Sequence, residues 1–199
     1  MFLLRRPGRA HIDEFIRACR RDTFSYSEVG ATREGVVPAG YVSDHTRTRI
    51  GAGAVAFGRA CRALARWEML STGWVEPFYP PSPIEPGTAV GILVNHLGFW
   101  SLNSSRVVYT LDERTGATHC RGFAYGTLSE HAECGEERFS VEWNHDDDAV
   151  WYDLFSFSRP RHPLARLGYP ITRRLQKRFA RDSHAVMSRA SSLAGGANS

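Results

Sequence analysis

The sequence predicts an α+β fold: a curved antiparallel sheet packed around a long C-terminal helix, in a single domain. Three observations carry this expectation. Strand-like patterning fills one continuous block, residues 88–159. Helical periodicity lies outside that block, most strongly after it. Glycines interrupt the strand patterns, as they do where a sheet bends or bulges. Strands gathered together, with helices segregated to their ends, indicate α+β rather than repeated strand–helix–strand units.

The elements follow in order. Residues 10–20 place Ile12, Phe15, Ile16 and Cys19 on one helical face. Residues 25–40 contain Gly30, Gly35, Pro38 and Gly40 and read as a loop. Residues 41–50 alternate weakly and read as a strand ending at Gly51. Residues 53–70 read as a helix, with Phe57, Ala60, Cys61, Leu64 and Trp67 on one face, Arg59, Arg62 and Arg66 on another, and Gly73 as the stop. Five prolines within residues 77–86 predict a connection. Strands are expected over 90–94, 105–111, 119–128, 138–143 and 150–157, with a polar turn at 144–148. Pro163 suits a short helix ended by Gly168. From Pro170 to about Arg189, Ile171, Leu175, Phe179 and Val186 form an apolar stripe. The domain is expected over residues 1–190, with 191–199 a disordered tail rich in Ser, Gly and Ala.

Charge is uneven. The chain of 199 residues carries a formal +4, yet nine Lys/Arg and one acid lie from Arg159 onward, and the rest holds 16 basic and 20 acidic residues. The basic helix face is expected to lie near the acidic hairpin at 130–153. No apolar run is long enough for a membrane helix or a secretory leader, so the chain reads as cytoplasmic. Cys19, Cys61, Cys120 and Cys134 form no C-x-x-C pair and read as reduced thiols. His119, Cys120, His131 and Cys134 lack zinc-ligand spacing, and neighbouring strand residues face opposite ways, so no metal site is expected. The Asp146-Asp147-Asp148 run reads as a solvated turn rather than a calcium loop. Phosphate-binding, dinucleotide, serine-hydrolase and zinc-protease signatures are absent, and no cofactor is expected.

The element order resembles the helix-grip fold of START and Bet v 1-like proteins, which implies a cavity between sheet and helix but no particular chemistry. A more specific resemblance rests on motifs. Phe24-Ser25-Tyr26-x-Glu28-Val29-Gly30-Ala31-Thr32 opens the series. Arg106-Val107-Val108-Tyr109, Gly122-Phe123-Ala124-Tyr125-Gly126-Thr127-Leu128 and Gly135-Glu136-Glu137-x-Phe139 follow. Phe157-Ser158-Arg159-Pro160, Leu164-Ala165-Arg166-Leu167-Gly168 and Leu175-Gln176-x-Arg178-Phe179 complete it. In this order they resemble the uncharacterised protein family 0548 (domain of unknown function 1990), small bacterial and plant proteins. The chain departs from the family pattern at Ser129-Glu130-His131-Ala132, where Pro-Gly-His-Pro is expected, and at Ser105, where Cys is common. The resemblance implies no catalytic residues.

Candidate functional residues therefore come from chemistry alone. His131 sits among Glu130, Glu133, Glu136 and Glu137, and imidazole beside carboxylate suits acid/base work near neutral pH. Glu136 and Glu137 are adjacent, so only one can face a cavity. Phe123 and Tyr125 share a strand face, and with Arg106 and Tyr109 on an earlier strand they are expected to line a ligand site. Trp100 and Asn103, in an irregular stretch, are expected at its rim. The leading expectation is a small-molecule or lipid binder that holds an apolar or amphipathic ligand. The alternative is a cofactor-free cyclase, dehydratase or hydrolase using His131, Glu137 and Tyr125. Nucleic-acid binding through Arg173, Arg174, Lys177, Arg178 and Arg181 ranks last, since no aromatics are interleaved for stacking.

Overall fold

The structure, a computed structural model, describes residues 1–78, 83–96, 98–161 and 168–192. Eight strands form one antiparallel sheet among the described residues. In chain order the elements are β1 (Phe2–Leu3), α1 (Arg9–Cys19), β2 (Val42–Ala52), α2 (Gly53–Ala65) and β3 (Val75–Phe78). There follow β4 (Ala89–His96), β5 (Phe99–Thr115), β6 (Thr118–Thr127), β7 (Glu133–Asn144), β8 (Ala149–Pro160) and α3 (Tyr169–Ser192). Their spatial order is β2-β8-β7-β6-β5-β4-β3, with β1 pairing β5. The meander from β3 to β8 consists of neighbours in sequence, as hairpin-connected strands must be. Outside this meander, β1 pairs with β5 and β2 crosses over to pair with β8 through ten residue pairs.

The sheet curls around α3, which is the helix-grip arrangement. Tight backbone approaches accompany the curl. A Cβ at Gly122 would lie 2.2 Å from the Phe139 carbonyl oxygen, and one at Gly126 would lie 2.1 Å from the Tyr26 hydroxyl. Both positions therefore require glycine.

The concave face is filled at one end only. There α2 and α3 cover Phe123, Phe139, Val141, Val150, Tyr152 and Leu154, and Trp67 fits between Phe123 and Tyr125. The other end, under the first half of α3, stays open. On the convex face α1 buries Ile12 and Ile16 against Ala89, Leu93 and Leu102. The loop at 25–40 also lies on the convex face, with Tyr26 and Tyr41 packed edge-on against Phe157.

Several expectations change. The second helix ends at Ala65, because Trp67 adopts a left-handed backbone (φ 57°) that turns its indole into the core before a short 3-10 turn at Glu68–Leu70. Pro77 belongs to β3, which is tolerated because β3 is the sheet's edge and needs no second row of donors. Trp100 and Asn103 lie within β5, whose pairing to β4 overrides the weak strand propensity of its serines and asparagine. On α3 the stripe continues from Phe179 through Ala180, Ser183, His184, Met187 and Ser191, while Ile171 is exposed. Small residues bring that half of the helix close to the sheet, where Tyr152 and Ser183 hydroxyls meet at 2.8 Å. Ser191 and Ser192 are helical rather than disordered. The short helix expected from Pro163 and the tail beyond residue 192 lie outside the described residues. Among the described residues, no helix is long and apolar enough to cross a membrane.

Candidate functional site

Residue parity along the strands decides what reaches the open end of the concave face. In β7 the run Phe139, Val141, Trp143 points inward, and the same parity carries Glu133 and Glu137 to the inner wall. In β6 it carries Tyr125, opposite both Glu137 and Val107. From β2 comes Asp44, opposite Ser156 of β8, and from β5 come Ser101 and Asn103. Leu70, Trp74, Val75, Ile92 and Val94 close one side, and Leu175, Gln176 and Phe179 of α3 form the roof. Together they enclose about 810 Å³, within the range of roughly 300–1,000 Å³ usual for small-molecule sites.

One polar cluster stands on this mostly apolar wall. Tyr125 donates its hydroxyl to Glu137 at 2.6 Å. Burial pushes the Glu137 carboxyl up to about 7; Tyr125's hydrogen bond opposes this, and Glu133 and Asp44 add to it. Glu133 is also raised, chiefly by burial, although the Gln176 amide donates to it at 2.6 Å. Desolvation by burial, followed by the Glu137 charge, holds the Tyr125 phenol well above its ordinary range, so it stays a donor at neutral pH. Asp44 is neutralised by Arg173, whose guanidinium engages both carboxylate oxygens, one at 2.7 Å.

His131 also borders the cavity, but it is not paired with a carboxylate. Its Nδ1 accepts the Glu133 backbone N–H at 3.0 Å. Burial, aided by the Met1 ammonium, lowers its pKa to about 4, so the ring is neutral at pH 7. The loop bearing it is tied to β5. Asn103 accepts the Ala132 N–H at 3.3 Å and donates to the Ser101 hydroxyl at 2.9 Å, which in turn bonds the His96 ring at 2.7 Å. Asn103 thus lines the cavity and positions the His131 loop.

A family model described as a domain of unknown function, DUF1990, matches residues 25–186. The chain belongs to this family. A UPF0548 protein of Dictyostelium discoideum is 35% identical, with 92% of each chain covered. A UPF0548 protein of Deinococcus radiodurans is 36% identical over 96% of this chain and 98% of that one. Among solved structures, TTHA0849 from Thermus thermophilus superposes with a TM-score of 0.51 at 11% identity, covering 78% of this chain and all of the other. The hypothetical protein jhp0584 from Helicobacter pylori gives 0.51 at 10% identity, covering 85% and 96%. These two likenesses concern the fold alone.

In this DUF1990 chain the structure brings together Tyr125, Glu137, Asn103 and His131 and moves four other expected residues away. Arg106 lies on the convex face, where its guanidinium donates to the Cys19 and Arg20 carbonyls at 3.2 and 2.8 Å and caps the end of α1. Tyr109 is also convex, its hydroxyl 2.7 Å from that of Thr32. A β-bulge between Val107 and Tyr109 puts Arg106 and Tyr109, of opposite parity, on the same outer side. Trp100 lies on the convex face beneath the Arg6 guanidinium, 5.8 Å from its ring centroid. Phe123 is on the concave face, but Trp67 and Phe139 bury it in the filled end.

Of the adjacent acids, Glu137 faces inward. Glu136 faces outward, where it accepts the Tyr26 hydroxyl at 2.6 Å and the Gly30 and Thr32 amides, fastening the 25–40 loop. Arg173 of the basic helix forms its ion pair with Asp44, and the same helix lies near Glu133 of the acidic hairpin, which its charge reaches. His119 pairs with Asp112 at 2.8 Å, away from His131 and Cys134. Among the described residues, no three His, Cys, Asp or Glu side chains form a metal-ligand group. Sequence reasoning missed Asp44 and named Glu133 only as a carboxylate near His131. The available signal was an acid on the same parity as an apolar strand face, as at Glu133 and Glu137 ahead of Phe139 and Val141.

Proposed function

We propose that this protein binds a small amphipathic molecule in the cavity between its sheet and α3. The observation that carries the reading is the cavity's construction: about 810 Å³ of mostly apolar wall with one convergent polar cluster. The apolar body of a ligand lies against Leu70, Trp74, Val94 and Phe179, with its polar end toward Tyr125 and Glu137. Removing such a body from water contributes about 25 cal/mol per Å² of apolar surface, and the polar cluster fixes its direction.

The test is a titration with the neutral solvatochromic dye Nile red. The wild type is expected to bind one equivalent with a blue-shifted emission. Val94→Trp, which places an indole in the cavity, is expected to lose that binding while unfolding cooperatively near the wild-type temperature. A folded wild type that leaves Nile red unshifted would sink the reading.

A second reading has its own observation. Glu137, held near pKa 7 and bonded to Tyr125, is poised as a general acid or base toward a bound molecule. In this reading Glu137 transfers the proton and Tyr125 orients it; His131, neutral and bonded to a backbone amide, is a wall rather than a partner. Conversion of a bound ligand by the wild type and its loss in Glu137→Gln with binding retained would favour catalysis over binding alone.

A further inference from the structure

We propose that the cavity's occupant is an amphipathic amine, whose protonated nitrogen is held at Glu137 in the combined negative field of Glu137 and Glu133 while its apolar body fills the space beneath α3. The inference rests on the binding reading above and names the chemical class of that ligand.

The lining has a one-sided charge. Asp44, Glu133 and Glu137 all reach it, and among the described residues no lysine or arginine does. Arg173 is the cation whose charge reaches Glu133, and its guanidinium already grips both oxygens of Asp44. His131 supplies no positive charge, since its Nδ1 is committed to a backbone amide and its ring is neutral at pH 7. Among the described residues, neither Glu133 nor Glu137 therefore has a cation in ion-pair contact on this desolvated wall. Such groups are costly to ionise unless one is supplied.

The hydrogen-bond count points the same way. An ionised carboxylate offers about four lone-pair sites. Among the described residues Glu137 receives one hydroxyl, from Tyr125, and Glu133 is bonded by the Ser158 hydroxyl and the Gln176 amide. The Tyr125 hydroxyl and the Gln176 amide are thus already used, while acceptor capacity remains on both carboxylates. A ligand bringing N–H donors and positive charge completes the Glu137 carboxylate with charge-assisted hydrogen bonds and offsets the charge of Glu133. A ligand bringing its own carboxylate meets like charge. The four-residue spacing of Glu133 and Glu137 on one strand puts both on the same wall, where the Glu133 charge reaches Glu137 and adds to the field that an ammonium group at Glu137 meets.

Competition against Nile red decides the question with three probes of equal chain length: dodecylamine, 1-dodecanol and dodecanoate, each below its aggregation threshold at pH 7.5. The amine is expected to displace the dye at a concentration at least tenfold lower than the alcohol, with dodecanoate weakest. In Glu133→Gln/Glu137→Gln the amine is expected to fall to the level of the alcohol, while Nile red affinity persists. Glu137→Gln alone is expected to lose part of the preference, which gives a readout if the double variant does not fold. Equal displacement by all three probes, or preference for dodecanoate, overturns the amine inference and leaves the cavity reading standing. Absence of dye binding to the wild type overturns both.

Discussion

Replacing Glu137 by Gln isolates the electrostatic cost of holding a carboxyl on the cavity wall. Burial and the nearby acids raise this group from an ordinary 4.5 to about 7. Each tenfold change in proton affinity corresponds to about 1.4 kcal/mol, so full ionisation in the folded state costs up to ~3 kcal/mol. Between roughly pH 4.5 and 7 the folded protein holds this proton and the unfolded chain does not. Stability attributable to Glu137 therefore falls as pH rises through that window and is level above it. Gln does not titrate and still accepts the Tyr125 hydroxyl. Glu137→Gln should match the wild type near pH 4 and exceed it by ~2–3 kcal/mol at pH 8. For a chain of this length each kcal/mol moves Tm by about 2–4 °C, a gain of roughly 5–10 °C.

Thermal unfolding of both proteins across pH 4–8 makes the measurement, and the difference between them is the quantity to read. The wild-type profile alone is ambiguous, because His131 acts in the opposite sense. Its folded pKa is lowered to about 4, so its contribution is lost as pH falls from roughly 6.5 toward 4. That contribution is common to both proteins and cancels. A difference that does not change with pH, or a variant less stable than the wild type at pH 8, would refute the reasoning.

Further outcomes follow from the same geometry. Tyr125→Phe removes the hydrogen bond that opposes the rise of the Glu137 pKa. A bond to a charged group contributes about 1.5–3 kcal/mol, so the midpoint for Glu137 should climb by roughly 1–2 pH units in a carboxyl-carbon NMR titration. Arg106→Met should cost about 1–3 kcal/mol in denaturant unfolding by leaving the α1 carbonyls unpaired. Its Nile red affinity should stay unchanged, and a loss of affinity would contradict the convex placement. Trp67→Ala empties the space between Phe123 and Tyr125 and should cost about 3–5 kcal/mol in the same unfolding assay.

Much of the fold was legible because it is written in periodicity. The stripe of Ile12, Ile16 and Cys19 found its convex seat, and the alternation of β6 through β8 set the sheet. The grip of the sheet on the C-terminal helix was likewise anticipated from element order. The site was legible in part. Tyr125 and Glu137 were grouped with His131 as a candidate acid/base set; the structure joins the first two by one hydrogen bond and commits His131 to a backbone amide. Arg106 and Tyr109 were misplaced because one residue of bulge in β5 reverses parity and leaves no compositional mark. Trp67 was misplaced because a left-handed tryptophan is a tertiary outcome that helical spacing cannot show. The inner stripe of α3 was hidden because Ala180, Ser183 and Ser191 pack by being small, whereas pattern reading seeks large apolar side chains. Asp44 faces inward through register, which requires knowing that β2 pairs with β8, whereas Glu133 shares the parity of Phe139 and Val141 within its own strand.

The central claim is that a ligand occupies the space between the sheet and α3. Intermolecular NOEs from a bound amphiphile such as dodecylamine to assigned side chains test it most directly. The account predicts contacts from the alkyl chain to Val94, Leu175 and Phe179, and from the methylene next to nitrogen to the Tyr125 ring. NOEs confined to exposed apolar residues outside the cavity, such as Val29, Val36 and Val55, would contradict it.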